Sequence, residues 1–120
     1  MNDDENDELL LKKWRAQLSK GIIEFFELIL LQKERYGWDI LQLVRSMLPP
    51  AEPPLADGTI YNILTRLNKR NLVSTRNEIV DGRMRKYFIL TNEGRELLKS
   101  MLSDWDLLRT SVTEAQEISK

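Results

Sequence analysis

Residues 57–91 read DGTIYNILTRLNKRNLVSTRNEIVDGRMRKYFILT, and no other stretch of the 120-residue chain restricts its fold as strongly. Ile60, Ile63, Leu64 and Leu67 fall on one side of a helix predicted over 57–71. Asn62, Thr65, Arg66 and Lys69 fall on the other, flanked by Thr59 and Tyr61. Two strands follow, 72–79 and 83–90, rich in Val, Thr, Tyr, Phe and Ile. They are joined by Asp81-Gly82, the commonest tight-hairpin dipeptide. Alternation along the second strand leaves open whether Tyr87 and Ile89 or Phe88 and Leu90 face inward. A helix followed by such a hairpin is the order of a winged helix-turn-helix. In that fold the helix enters a DNA groove and the wing, here 72–90, grips the backbone beside it.

The formal net charge of the whole chain, −1, conceals a local excess. Between Gly58 and Leu90 stand Arg66, Lys69, Arg70, Arg76, Arg83, Arg85 and Lys86, opposed only by Glu78 and Asp81. A basic patch on a neutral-to-acidic chain implies a polyanionic partner at one face. The chain has no His and no Cys. That removes thiol nucleophiles, imidazole bases, disulfides and the zinc sites built from those ligands. A carboxylate-only Mg²⁺ site would need a paired acidic motif in a loop, and none is visible. The expectation is therefore not an enzyme, with no metal and no cofactor.

The start, MNDDENDELLLKKW, is too acidic for a signal peptide, and the most apolar run, 22–31, is interrupted by Glu24 and Glu27. It is far shorter than the roughly 20 residues that span a bilayer. A soluble, cytoplasmic protein with no membrane partner is expected. Residues 1–7 carry charge but nothing to bury and read as a disordered acidic N-terminus. From Glu8 the pattern turns helical, with Leu10, Leu11, Trp14 and Leu18 on one face and a break or kink at Ser19-Lys20-Gly21. A second helix, 21–33, is apolar almost all round and should be the centre of the core. A third runs over 38–47, with Ile40, Leu41, Val44 and Leu48 on one face. All four prolines then fall in LPPAEPPL and force an extended connector.

Ala56 cannot cap the helix that follows, which leaves Asp57 as its candidate N-cap. Thr91 is the candidate N-cap of a last helix over 92–118, about 40 Å long at ~1.5 Å per residue. Its apolar residues Leu98, Met101, Trp105, Leu108, Val112 and Ala115 recur at alternating steps of three and four. That is a coiled-coil-like seam, more apolar surface than one such domain needs.

With these elements in place, the chain resembles the PadR family of bacterial transcriptional regulators. The matching stretches are RAQLSKGIIEFFELILL, YGWDI, DGTIYNILTRLNKRNLV and GRMRKYFILTNEGRELL, which carry the family's YG, GT-hydrophobic-Y, RKY and LT-x-x-G signatures in order. The resemblance implies a mainly α fold with a small β-hairpin. A winged helix-turn-helix domain over 8–91 is followed by a long dimerisation helix over 92–120, as in the family's short subgroup. It also implies a homodimer built by the first and last helices, Leu10, Leu11, Trp14 and Leu18 meeting Leu98, Met101, Trp105, Leu108 and Val112. Such proteins usually repress transcription and are released by a small effector.

On the recognition helix, Arg66, Asn62 and Thr65 suit base edges. Lys69 and Tyr61 suit phosphates, and Gly58 and Thr59 would offer free N–H groups at the helix start. The plainer alternative is a solvated helix face. Arg83, Arg85 and Lys86 on the wing suit the minor groove or its phosphates, the alternative being charges that protect an edge strand from aggregation. Trp105 lies eleven residues after Gly94, where the multidrug-binding branch of the family stacks flat aromatic drugs. It either does so here or fills the dimer core. Trp14 either closes the same pocket or merely packs. Arg109, where that branch carries an acid, would favour an anionic or neutral aromatic effector. The reading is a homodimeric repressor on a pseudo-palindromic operator in double-stranded DNA. Its rival is a winged-helix protein-interaction module that does not bind DNA.

Overall fold

A computed structural model describes residues 3–51 and 54–120. The chain forms α1 (Asp3–Leu30), β1 (Arg35–Tyr36), α2 (Gly37–Met47), α3 (Asp57–Lys69), β2 (Val73–Val80), β3 (Arg83–Leu90) and α4 (Asn92–Ile118). The three strands make an antiparallel sheet in the order β1-β3-β2. It is a winged-helix fold with a long C-terminal helix, and among the described residues no helix is long and apolar enough to cross a membrane.

Two expectations at the N-terminus are corrected. Of the segment read as disordered, Met1 and Asn2 lie outside the described residues, but α1 begins at Asp3. Its first turn carries Asp3, Asp4 and Glu5, whose charges complement the partial positive charge of a helix start. The break at Gly21 does not occur either, and α1 is continuous from Asp3 to Leu30. An isolated helical glycine costs only about 1 kcal/mol, too little to break a helix whose following turns are anchored in the core.

The core is assembled from the C-terminal half of α1 (Ile23, Phe25, Leu28), Leu31, the inner faces of α2 and α3, and Val73, Phe88, Leu90 and Leu98. Phe88 and Leu90 are the inward pair on β3, while Tyr87 and Ile89 are only partly covered. Beside them runs β1, which sequence periodicity did not mark. Its Tyr36 pairs with Tyr87, and the absence of a side chain on Gly37 lets the Phe88 ring approach. A two-residue strand has no periodicity to read, so only the YG signature marked the place.

Three junctions hold the elements in register. Asn71, at φ 61°, ends α3 in the left-handed region, with Leu72 N–H donating to Leu67 O and Asn71 N–H to Asn68 O. Asp81 and Gly82, at φ 53° and 76°, form the mirror-image turn that a two-residue hairpin requires. Thr91 caps α4 as expected, accepting from Gly94 N–H at 3.0 Å and donating to Asn71 O at 2.7 Å. Asp57 is not a cap but the first residue of α3, after Ala56. There its carboxylate pairs with Arg45 of α2.

Candidate nucleic-acid interface

Burial of Ile60, Ile63, Leu64 and Leu67 fixes the rotation of α3. At 100° per residue, Gly58, Asn62, Thr65 and Lys69 then form the ridge most directly opposite the core. Three of the expected DNA residues stand further round. Thr59 and Arg66 turn toward α1 and border, with Asn62, an open groove of about 1730 Å³ beside Ile23 and Glu24. Tyr61 turns the other way and meets Phe88 edge-on, ring centroids 6.2 Å apart. Thr65 donates its hydroxyl to Tyr61 O at 3.0 Å, so toward a base it has only acceptor lone pairs and a methyl to offer.

Arg45 was not singled out by sequence reasoning. Its guanidinium donates twice to Leu55 O, at 2.8 and 3.1 Å, and pairs with Asp57. It ties the end of the proline connector to the start of α3. Only its position in the last turn of α2 hinted at this, and exposed arginines there are common.

The cations are not equivalent. Arg76 is clamped between Glu34 and Glu78, which pushes its pKa up and holds the Glu34 carboxyl below its usual range. It also lies 4.6 Å above the Tyr87 ring. Arg85 lies 4.7 Å above the Tyr36 ring, and Arg70 is within 3.9 Å of Glu24. Among the described residues Arg66, Lys69, Arg83 and Lys86 hold no ion pair. The wing cations therefore do not form one cluster. Strand alternation puts Lys86 on the core side of the hairpin with Phe88, and Arg83 and Arg85 on the other.

Beneath α3 Glu27 is wholly buried, and neither carboxyl oxygen has a hydrogen-bond partner among the described residues. Burial, with repulsion from Glu24, pushes its pKa from 4.5 up to about 9, against the pull of Arg66. At neutral pH it is protonated and leaves the Arg66 charge uncancelled.

The expected dimer residues divide in two. Leu98 is buried within its own chain and so not free to form a seam between copies, while Met101 packs partly against that core. Leu10, Leu11, Trp14, Leu18, Leu108 and Val112 are exposed. Trp105, 41% exposed, tilts against Phe25 at 5.9 Å. It borders a cavity of about 200 Å³ with Ile22, Phe26 and Met47. Trp14 is not part of that cavity's lining.

Comparison with known proteins agrees with this architecture. A Streptococcus transcriptional regulator of known structure is 34% identical with a TM-score of 0.71, the match covering 83% of this chain and 97% of that one. A PadR-like transcriptional regulator from Bacillus cereus is 26% identical with a TM-score of 0.70, covering 82% and 94%. A PadR family regulator from Eggerthella lenta, 23% identical with a TM-score of 0.71, shares the fold over 96% of this chain and 95% of its own. Residues 27–100, which include α3, the wing and the start of α4, match the Transcriptional regulator PadR-like family. On that match, this chain belongs to the PadR-like family of transcriptional regulators.

Proposed function

We propose that the protein binds double-stranded DNA sequence-specifically as a homodimer and represses transcription from a pseudo-palindromic operator. The observation that carries this reading is the outer ridge of α3. Asn62 and Lys69 stand there, Lys69 without an ion pair among the described residues, with Arg66 flanking them on one side and Lys86 of the wing on the other. Asn62 and Arg66 are suited to base edges, Lys69 and Lys86 to phosphates. In fluorescence anisotropy with duplexes selected from a random pool, Asn62→Ala should cost about 1–3 kcal/mol and relax specificity. Lys69→Ala should weaken binding to all sequences and reduce the salt slope by about one. A wild-type protein with no salt-dependent duplex affinity would instead be a protein-interaction module.

A second copy is supported by the exposed apolar residues of α1 and α4 and by the dimensions of the chain. Its radius of gyration is 17.4 Å. A compact domain of this length has about 14 Å, so both helix arms extend beyond the core. Two copies joined through these arms would present recognition helices to half-sites about one helical turn apart. The cavity beside Trp105 fits a small flat aromatic effector, bound where it would alter how α4 lies on α1. Leu108→Glu/Val112→Glu should sediment as a monomer and lose operator affinity. In the wild type, flat aromatics should quench fluorescence that Trp105→Phe lacks. A double variant that stays dimeric would sink this assembly, and equal quenching in Trp105→Phe would sink the effector site.

A further inference from the structure

On the wing, residues 73, 75, 77 and 79 of β2 face the same way as 90, 88, 86 and 84 of β3. At the base of the hairpin this face is core, with Val73, Phe88 and Leu90 buried. It lies on the α3 side, because Tyr61 rests edge-on against Phe88. Past the edge of the core the same face continues through Asn77 and Lys86 to the cross-strand pair Ile79 and Met84, which are 70% and 65% exposed. A cross-strand pair one step from the turn brings its side chains into contact, so the two form one apolar patch. Nothing else in the described chain covers it. The opposite face is occupied, with Arg76 held by Glu34 and Glu78 and Arg85 stacked on Tyr36.

We infer that Ile79 and Met84 form an apolar DNA contact, seated on the sugar edges of the minor groove, with Lys86 on the adjoining phosphate. This rests on the DNA-binding reading above. The occupant follows from charge and position. Among the described residues Lys86 beside the patch and Arg83 at the turn hold no ion pair, the strands place no carboxylate on this face, and the face flanks the outer ridge of α3. Minor-groove binders insert apolar side chains, Ile and Met among them, at base steps of this groove. Asp81 at the apex would be repelled by phosphates, so the wing lies face down across the groove and its tip stays outside.

The test is duplex affinity of Ile79→Thr/Met84→Thr across a range of salt, Thr keeping the strand preference of an exposed position. Affinity should fall about tenfold at every salt concentration, with the wild-type salt slope, because apolar contacts release no counterions. Lys86→Ala should instead lower the slope by about one. A double variant that binds like wild type overturns the contact. So does one that loses affinity only because sedimentation shows it no longer self-associates, which would assign the patch to a second copy. If wild-type protein binds duplex and the variant is indifferent, only this inference fails. If wild type binds no duplex, the DNA reading fails and this contact with it.

Discussion

Gly94→Ala should lower stability by about 3 kcal/mol and the Tm by roughly 10 °C, opposite in sign to what helix propensity alone expects. Glycine inside a helix is ordinarily about 1 kcal/mol worse than alanine, so the exchange should stabilise. Here a Cβ on Gly94 would collide with the Leu72 carbonyl and lie 3.2 Å from a methyl of Leu90. That carbonyl cannot withdraw, since it accepts from Thr91 N–H at 3.1 Å, and Thr91 is bonded to both Asn71 and Gly94. Making room would lift α4 and draw Leu98 out of the core. Thermal melts of Gly94→Ala beside Glu96→Ala, an exposed position half a turn on, decide the point. A Gly94→Ala protein that melts at or above the wild-type temperature would show that the approach of α4 to Leu72 is not tight.

The pH dependence of stability should carry a component from Glu27 that falls as pH rises. Its pKa is about 9 in the folded protein and 4.5 in the unfolded reference. Between those values the folded chain holds a proton that the unfolded chain has released. Its contribution is therefore greatest below pH 4.5, declines by up to about 1.4 kcal/mol per pH unit, and levels off above the folded pKa. Glu27→Met, which fills similar volume without a polar group, should remove this decline. It should also raise the urea midpoint at pH 8, with a gain on the order of several kcal/mol. Because Glu27 lies under α3, the same variant tests whether the acid tunes Arg66. Equal declines in wild type and variant would assign the titration to another group.

Much of the site was legible because its signals are local. The apolar spacing of Ile60, Ile63, Leu64 and Leu67 oriented α3 to within a flank, and Asp81-Gly82 placed the turn of the wing. Thr91 declared the start of α4 through a side chain three residues from the N–H it caps. Arg66 shows the limit of such reading. A helical wheel puts it among the outward residues, but it leans toward α1 and a buried acid that no local pattern marks for burial. Leu98 shows the same limit on α4. It fits the seam by spacing, but belongs to the core because the Thr91–Gly94 junction lays the first turns of α4 on the sheet.

By itself, and apart from the start and continuity of α1 and the cap of α3, the sequence determined the helices, the hairpin, its turn, the Thr91 cap and the excess of cations on one segment. Each of these is a matter of hydrogen bonding and periodicity among residues a few positions apart. Tertiary structure alone decided which cations remain available. Arg76 is neutralised by Glu34, 42 residues away, and Arg85 is covered by Tyr36, brought there by the two-residue strand β1. It also decided which face of the wing is core, and so left Ile79 and Met84 exposed beside Lys86. Charge and apolarity are properties of single residues, but whether they face solvent depends on neighbours that only folding supplies.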